Sequence, residues 1–413
     1  MVLAVLAGGY LYLNYPLRVD EDLQEQAEEI TVEEDNRSQI GPVDLIRVEG
    51  SPYEMGYQQG ALLSEEIAEL IDLMYEEAFA LQEESLPRRL VAEFYMRRAA
   101  LSFFGQTPDR FRREMQGIAD GAEADLYDIL LLNVYDELFN LAGCTNIAVW
   151  GENTRENELL MGRNLDYYYP QIMYDRQVVT HYIPEEGSQF AAVDFPGYIG
   201  VLTGLNQQGL ALGSLTAPAP ENSLEGVPTG IVYRMIMETA GSLEEAEELL
   251  RDNPRTIGNN LLVAAAKSRQ AYIFEISPAE VYTRKPAGEE NFIAAANHFN
   301  ELENETLRES SLFRQERAEE LLAEFTAGES EAEAAGRDRQ DVIDILNDRE
   351  QIEIEDYGFY SIGNNRNIQS AVIQPDQLEM WLSINQDLPA ADGDFYGLKL
   401  KPEEEKISPI GEE

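Results

Sequence analysis

The 413-residue chain carries 78 acidic against 30 basic residues, a formal net charge of −48, and its only lysines are Lys267, Lys285, Lys399, Lys401 and Lys406. Such a surface repels phosphate backbones, which excludes nucleic acid as a partner. It also repels itself until concentrated counterions screen it, so a salt-loving source is expected. A single cysteine and two histidines, His181 and His298, exclude a disulfide framework, a cysteine-rich zinc site and a histidine metal cluster. No cofactor is expected, and only a carboxylate calcium site stays open.

Met1 to Leu13 is apolar but shorter than the roughly 20 residues that cross a bilayer, and Asp20 to Asp35 is strongly acidic. Residues 1–42 are therefore expected to be a signal or membrane anchor with a solvated spacer, on an exported or anchored protein facing outward. From Val43 a short strand at Leu45–Val48 and the turn Gly50-Ser51-Pro52 precede a run of helices. These are expected from Tyr53 onward, over Leu90–Phe104, over Asp109–Ala122 and over Leu126–Phe139. Residues 43–143 thus read as a helical proregion.

At Cys144 the apolar period changes from 3.6 to 2. Strands are expected at Ile147–Trp150, Leu159–Gly162, Gln177–Ile183, Phe190–Phe195, Tyr198–Thr203 and Leu210–Leu215, the last two flanking a Gly204–Gly209 hairpin. Helices follow over Ile231–Ala240 and Leu243–Arg251, then strands near Asn260–Ala266, Ala271–Ile276 and Phe292–Ala296. Glu309–Phe325 and Asp341–Leu346 read as helices around a glutamate-rich loop. Three terminal strands are expected at Ser370–Ile373, Leu378–Ser383 and Phe395–Leu400. Short polar turns favour mainly antiparallel sheets, and the order of elements fits an α+β protein, a four-layer αββα sandwich of two such sheets.

The chemistry centres on Gly143-Cys144. A lone cysteine is ordinarily a small buried hydrophobe, but this one follows a glycine able to take up a strained backbone. Attack of its thiol on the Gly143 carbonyl would cut the chain there. The freed α-amino group, with an ordinary pKa near ~8, could then take the thiol's proton itself, so no catalytic histidine is needed. A hairpin from 144 to 163 would return Arg163 and Asp166 beside the cysteine, Asp166 to hold the amine and Arg163 to stabilise negative charge. Without Cys144 nearby, that pair would read as an ordinary turn ion pair.

Gly143-Cys144-Thr145-Asn146 and Gly162-Arg163-Asn164-Leu165-Asp166-Tyr167 resemble the signature of cysteine N-terminal nucleophile (Ntn) amidohydrolases. That group includes the isopenicillin N acyltransferase family, choloylglycine hydrolases, acid ceramidase and N-acylethanolamine amidase. Gly50 to Gly60, Phe195-Pro196-Gly197, Gly204-Leu205-Asn206 and Ala296-Asn297-His298-Phe299 are similar to further blocks of the acyltransferase-type members. The resemblance implies the Ntn-hydrolase αββα fold, self-cleavage before Cys144, and a catalytic region of residues 144–413. It also implies a thioester at Cys144 during action on a linear N-acyl amide, with water or an amine as acceptor, and a cleaved proregion that can stay bound. Asn206 and Asn297 match oxyanion-site asparagines, and a turn asparagine or a strand-end cap is the plainer reading of each. Arg314 matches a further family arginine and, with Tyr167, is expected to contact substrate; Tyr168 and Tyr169 could wall the same acyl pocket. Position 146 departs from the serine of many relatives, leaving open whether Asn146 narrows the pocket or adds a hydrogen bond. The rival readings are a phospholipase B-like esterase of the same fold, a non-catalytic exported acidic protein with a buried cysteine, and a papain-like protease using His181 or His298.

Overall fold

In a computed structural model, residues 17, 19, 23–80, 86–139, 142–167, 175–288, 290–324, 337–350, 360–387 and 389–410 are described. The expected anchor over 1–16, Tyr168, Tyr169 and the glutamate-rich loop over 325–336 lie outside them. The chain begins with α1 (Leu23–Ala27), β1 (Arg37–Ile40) and β2 (Val43–Gly50). Helices α2 (Pro52–Leu62), α3 (Ser64–Ala80), α4 (Leu86–Gln106), α5 (Asp109–Gly121), α6 (Leu126–Asn133) and α7 (Tyr135–Phe139) follow. Then come β3 (Ala142–Val149), β4 (Leu160–Tyr167), β5 (Val178–Pro184), β6 (Phe190–Asp194), β7 (Thr203–Asn206) and β8 (Leu210–Thr216). Helices α8 (Thr229–Thr239) and α9 (Leu243–Asp252) lead to β9 (Asn259–Ala265), β10 (Gln270–Ile276), β11 (Val281–Arg284) and β12 (Phe292–Ala295). The chain finishes with α10 (Glu309–Glu324), α11 (Arg339–Leu346), β13 (Asn367–Gln374), β14 (Glu379–Ile384), β15 (Tyr396–Lys401) and β16 (Lys406–Pro409).

The strands form two sheets. One runs β1-β2-β5-β6-β7-β8-β9-β10-β11 and the other β12-β3-β4-β13-β14-β15-β16. Pairing is antiparallel throughout except between β2 and β5, which run parallel from Asp44↔Val178 to Gly50↔Pro184. Period-two alternation sorts the apolar side chains into layers. Cys144, Ala148, Met161 and Leu165 of the second sheet meet Val179, Ala191, Leu205 and Leu262 of the first. On the first sheet's outer face, Ile46, Phe190 and Leu261 pack on Met55, Ile67, Met115 and Ile236 from helices. On the second sheet's outer face, Ile147, Leu160 and Val372 pack on Ala318, Leu322 and Val342 of α10 and α11. The result is the four-layer αββα sandwich expected from sequence.

The segment before Cys144 is more than a helical appendage. Its β1 and β2 are strands of the first sheet, and its helices cover that sheet's face. Ser51 begins α2 with a capping box: its hydroxyl accepts from the Glu54 N–H, and Glu54 Oε2 accepts from the Ser51 N–H at 2.7 Å. Helices α2 and α5 cross with backbones almost touching. A Cβ on Gly56 would lie 2.0 Å from the Glu114 carbonyl oxygen, and one on Gly117 2.2 Å from that of Tyr53. In α8, the buried Arg234 pairs with Glu114 of α5 at 3.2 Å and with Glu238 at 2.8 Å, its guanidinium lying 3.9 Å from the centre of the Tyr182 ring. Arg110 reaches the same Glu238 at 2.6 Å.

Several expected elements shift. The acidic stretch 20–35, expected to be solvated spacer, holds α1, whose Leu23 is buried: one apolar residue anchors an otherwise polar turn. Tyr198–Thr203 is irregular chain rather than a strand. Gly197 takes φ +82° in a turn closed by the Tyr198 N–H donating to Phe195 O, and β7 begins only at Thr203. The helix expected over Leu126–Phe139 breaks at Val134, just after buried Asn133, the last residue of α6, whose side chain also serves the neighbouring loop. It donates to Gly197 O at 2.8 Å and accepts from the Ile199 N–H at 2.8 Å.

Candidate active site

Cys144 lies inside β3, two residues after the strand begins, rather than at its start. The antiparallel register with β4 pairs Cys144 with Leu165, Asn146 with Arg163, and Gly143 with Asp166. Cross-strand partners share a face. Arg163 therefore stands on the thiol's side, between the sheets. Asp166 stands behind the strand, on the helix side, flanking the Gly143–Cys144 bond. The hairpin does bring both residues back to the cysteine, but to opposite faces. Gly143 itself lies in an extended ladder, paired with Asp166, and does not take up here the strained backbone it is able to adopt.

Strand β12 pairs with β3 only as far as Ala295↔Asn146. The position opposite Cys144 in that register falls to Asn297, and there the chain has turned away. Side chains replace the missing ladder. The Cys144 N–H donates to Asn297 Oδ1 at 2.8 Å, and the Cys144 carbonyl accepts from the Arg314 guanidinium. Arg314 also donates to Thr145 Oγ1 at 2.9 Å and to Asn297 Oδ1 at 2.8 Å, and lies 3.7 Å from Asp166 Oδ2. Asn297 Nδ2 donates to Thr216 O at 2.8 Å. Arg314, expected on a substrate, is thus fully buried and engaged with the nucleophile's own residue.

Asp166 is 0% exposed and accepts from Asn364 Nδ2 at 2.7 Å and more loosely from Asn367 Nδ2 at 3.4 Å. Burial pushes its carboxyl pKa up, while Arg314, the two asparagines and Arg163 pull it back down. Arg163 donates to the Ser214 carbonyl and to Asn146 Oδ1 at 3.3 Å. Asn146 donates from Nδ2 to Gly213 O at 2.8 Å, which settles its role: it adds hydrogen bonds that hold Arg163. Burial raises the Cys144 thiol to about 11, opposed by Arg163 and Arg314 and reinforced by Asp166. A thiol raised in this way is protonated at neutral pH.

Cys144 and Arg163 line a small cleft with Ser214, Thr216, Thr229 and Asn259 among apolar Leu165, Leu202 and Ile257. Glu137, from before the cysteine, joins them, accepting from the Thr229 N–H at 2.6 Å. Tyr198 and Leu202 border this cleft and also a second, apolar one of about 560 Å³, lined by Leu70, Met74, Leu132, Tyr135, Tyr167 and Phe195. Tyr167 sits there as expected, edge-on to Phe195 with ring centroids 6.2 Å apart.

Asn206 is not brought to the site. Its Nδ2 donates to Met237 O and Ala240 O at 3.1 and 2.7 Å, at the end of α8 on the helix-facing side of the first sheet. Its Oδ1 accepts from the Gln208 and Leu210 N–H groups at 3.0 and 2.9 Å. With its hydrogen-bonding capacity spent on backbone, it is the turn asparagine of the plainer reading. Neither histidine lines the cysteine's cleft. His298 pairs through Nδ1 with Ser311 Oγ at 2.8 Å, and burial lowers both imidazoles to about 4, so a papain-like pairing has no geometric basis here. Asn364, Asn367, Ser214, Thr216, Asn259 and Glu137 escaped the sequence reading. Each arrives from a distant element, with no local pattern to mark it.

The site thus consists of a buried cysteine on an inner sheet face, its backbone held by Asn297 and Arg314 and its flank by Arg163 and Asp166, with no histidine lining its cleft. The family model for acyl-coenzyme A:6-aminopenicillanic acid acyl-transferase matches residues 153–388, more than half of the chain, and the chain belongs to that family. An uncharacterized protein of Archaeoglobus fulgidus is 26% identical over 271 residues, covering 58% of this chain and 45% of that protein. Acid ceramidase of Bos taurus is 30% identical over 172 residues, covering 35% of this chain and 42% of that enzyme. The chain spans about half the length of the curated relatives it matches. Among solved structures, the Caenorhabditis elegans N-acylethanolamine-hydrolyzing acid amidase ortholog superposes with a TM-score of 0.40 at 17% identity, covering 56% of this chain and 93% of that one.

Proposed function

We propose that the protein is a self-processing cysteine amidohydrolase or acyltransferase that carries the acyl group of a linear N-acyl substrate as a thioester on Cys144. The observation that carries this reading is the bond from the Cys144 N–H to Asn297 Oδ1, beside Arg314 and Asp166. In the first step the thiol attacks the Gly143 carbonyl, the Gly143–Cys144 amide shifts to a thioester, and water releases a Gly143 carboxylate and a Cys144 α-amine. That amine inherits the Asn297 contact and lies on the Asp166 side. It then takes the proton of its own thiol. Thiolate attack on the substrate amide gives a tetrahedral oxyanion, the amine leaves with a proton, and water or a second amine resolves the thioester. The cationic Arg163 on the thiol's face supports the negative charge that develops.

The adjoining clefts support the substrate class: apolar Leu70, Met74, Tyr167 and Phe195 suit an acyl chain, and polar Ser214, Thr229 and Asn259 suit the amine portion. The family's name, an acyl-transferase acting on an amine, and that of the acid ceramidase relative point the same way. The test is intact-mass analysis in concentrated salt. Wild type is expected as two fragments divided between Gly143 and Cys144, and Cys144→Ala as one chain. A folded wild type that stays whole overturns the reading.

A further inference from the structure

Resting on that reading, we infer that the cross-strand pair Asn260 and Glu275 forms a clamp that positions Asn297, and through it the Cys144 amine, making both positioning residues for the chemistry. They face each other across β9 and β10, in the register pair Glu275↔Asn260, and each is 0% exposed. By strand alternation they share the inter-sheet face with Leu262, Ala264 and Ile273. A polar pair in that apolar layer demands partners. Asn260 Nδ2 and the Glu275 carboxylate find hydrogen-bond partners in the loop that leaves β12 and carries Asn297.

Asn260 Nδ2 donates to Ala296 O at 3.0 Å and to His298 O at 2.7 Å, the carbonyls on either side of Asn297. Glu275 accepts three backbone N–H groups further along the loop: Asn300 on Oε1 at 2.9 Å, Glu301 and Leu302 on Oε2 at 2.9 and 3.0 Å. Arg284 stands 3.5 Å from the same carboxylate. Residues 296–302 are therefore gripped along their length by one side-chain pair. Asn297 needs this grip because it lies beyond the end of β12, where no ladder bond fixes it, yet its Oδ1 must accept from both Cys144 and Arg314. Amide orientation there decides whether the Cys144 nitrogen meets an acceptor, and a displacement of about 1 Å at such a contact costs on the order of 100-fold in rate.

The experiment is a double-mutant cycle on self-cleavage rate and on kcat and KM for an N-acyl substrate, using full-length Asn297→Ala, Asn260→Ala, Glu275→Gln and the combination Asn260→Ala/Asn297→Ala. We expect Asn260→Ala and Glu275→Gln to lower cleavage rate and kcat by about 10- to 100-fold at little-changed KM. The double variant is expected to be no slower than Asn297→Ala alone, since Asn260 acts through Asn297. Losses that multiply in the double variant, or folded Asn260→Ala and Glu275→Gln proteins with wild-type rates, overturn the clamp while leaving the nucleophile reading intact. An Asn297→Ala protein that cleaves and turns over normally overturns the site reading itself.

Discussion

Two buried charge clusters, one at the nucleophile and one between α5 and α8, use similar residues to opposite ends. Around Cys144, Arg314 stands beside the Asp166 carboxylate, Glu137 lines the cleft with Arg163, and much of the two arginines' hydrogen bonding goes to neutral groups: Asn146, Thr145, Asn297 and the Ser214 carbonyl. Between the helices, Arg234 serves two buried carboxylates, Glu114 and Glu238, with Arg110 at the rim and the rings of Tyr182 and Phe190 against its guanidinium. The first cluster sets two guanidinium groups near a thiol and spends most of their hydrogen bonds on neutral partners. The second sets Arg234 and Arg110 against Glu114 and Glu238, and burial drives Glu114 up to about 7. One cluster leaves its cations hydrogen-bonded largely to neutral groups; the other pairs them with carboxylates and is left with the cost of burial.

The contrast can be broken experimentally. The largest effect is expected from Arg314→Leu, which removes the donor to the Cys144 carbonyl and to Asn297: turnover should fall by about 10²–10³-fold with the fold retained, read by steady-state kinetics and circular dichroism. Asp166→Asn should slow self-cleavage by roughly 10²-fold, measured by intact mass over time; unchanged cleavage would return Asp166 to a purely structural part. Arg234→Met belongs to the other class. It should destabilise the protein by about 3–5 kcal/mol, because two buried carboxylates lose their partner, while kcat per folded molecule stays near wild type. Asn206→Ala should cost about 1–3 kcal/mol in denaturant melts and leave processing intact, as its bonds serve only a turn and the end of α8.

The smallest effect is a pH dependence. Glu114 has a folded pKa raised to about 7 from 4.5, so the folded state binds more protons than the unfolded one between those values. Its stabilising contribution is complete below pH 4.5 and is lost as pH rises through 7. Glu114→Gln should flatten that part of the stability–pH curve, checked by thermal melts across the window.

The fold was largely legible because the switch from a 3.6 to a 2.0 period at residues 142–149 is strong and the two sheets obey simple alternation. The site was legible where it is local. Cys144, Arg163 and Asp166 lie on one hairpin, and the register follows from it, although the side of the strand each occupies emerges only when the sheets are stacked. Asn297 and Arg314 came through resemblance rather than pattern. Asn206 failed because an asparagine before a Gly-containing turn is explained by its own backbone, and a motif match cannot tell that from catalysis. Asn260, Glu275, Asn364 and Asn367 left no trace in the sequence, since their partners come from other strands and loops.

The parallel pairing of β2 with β5 has a consequence for assembly. A cut at Gly143–Cys144 would leave a sheet whose strands belong to two polypeptides, joined by a ladder and by the apolar layer beneath the helices. Persistence of that sheet needs no covalent link, but its formation exploits one. Before the cut the strands meet at the high effective concentration of a tethered chain; afterwards they must find each other from solution. The protein would thus have one chance to fold as a single molecule, and denaturation of the processed form would act as a one-way step.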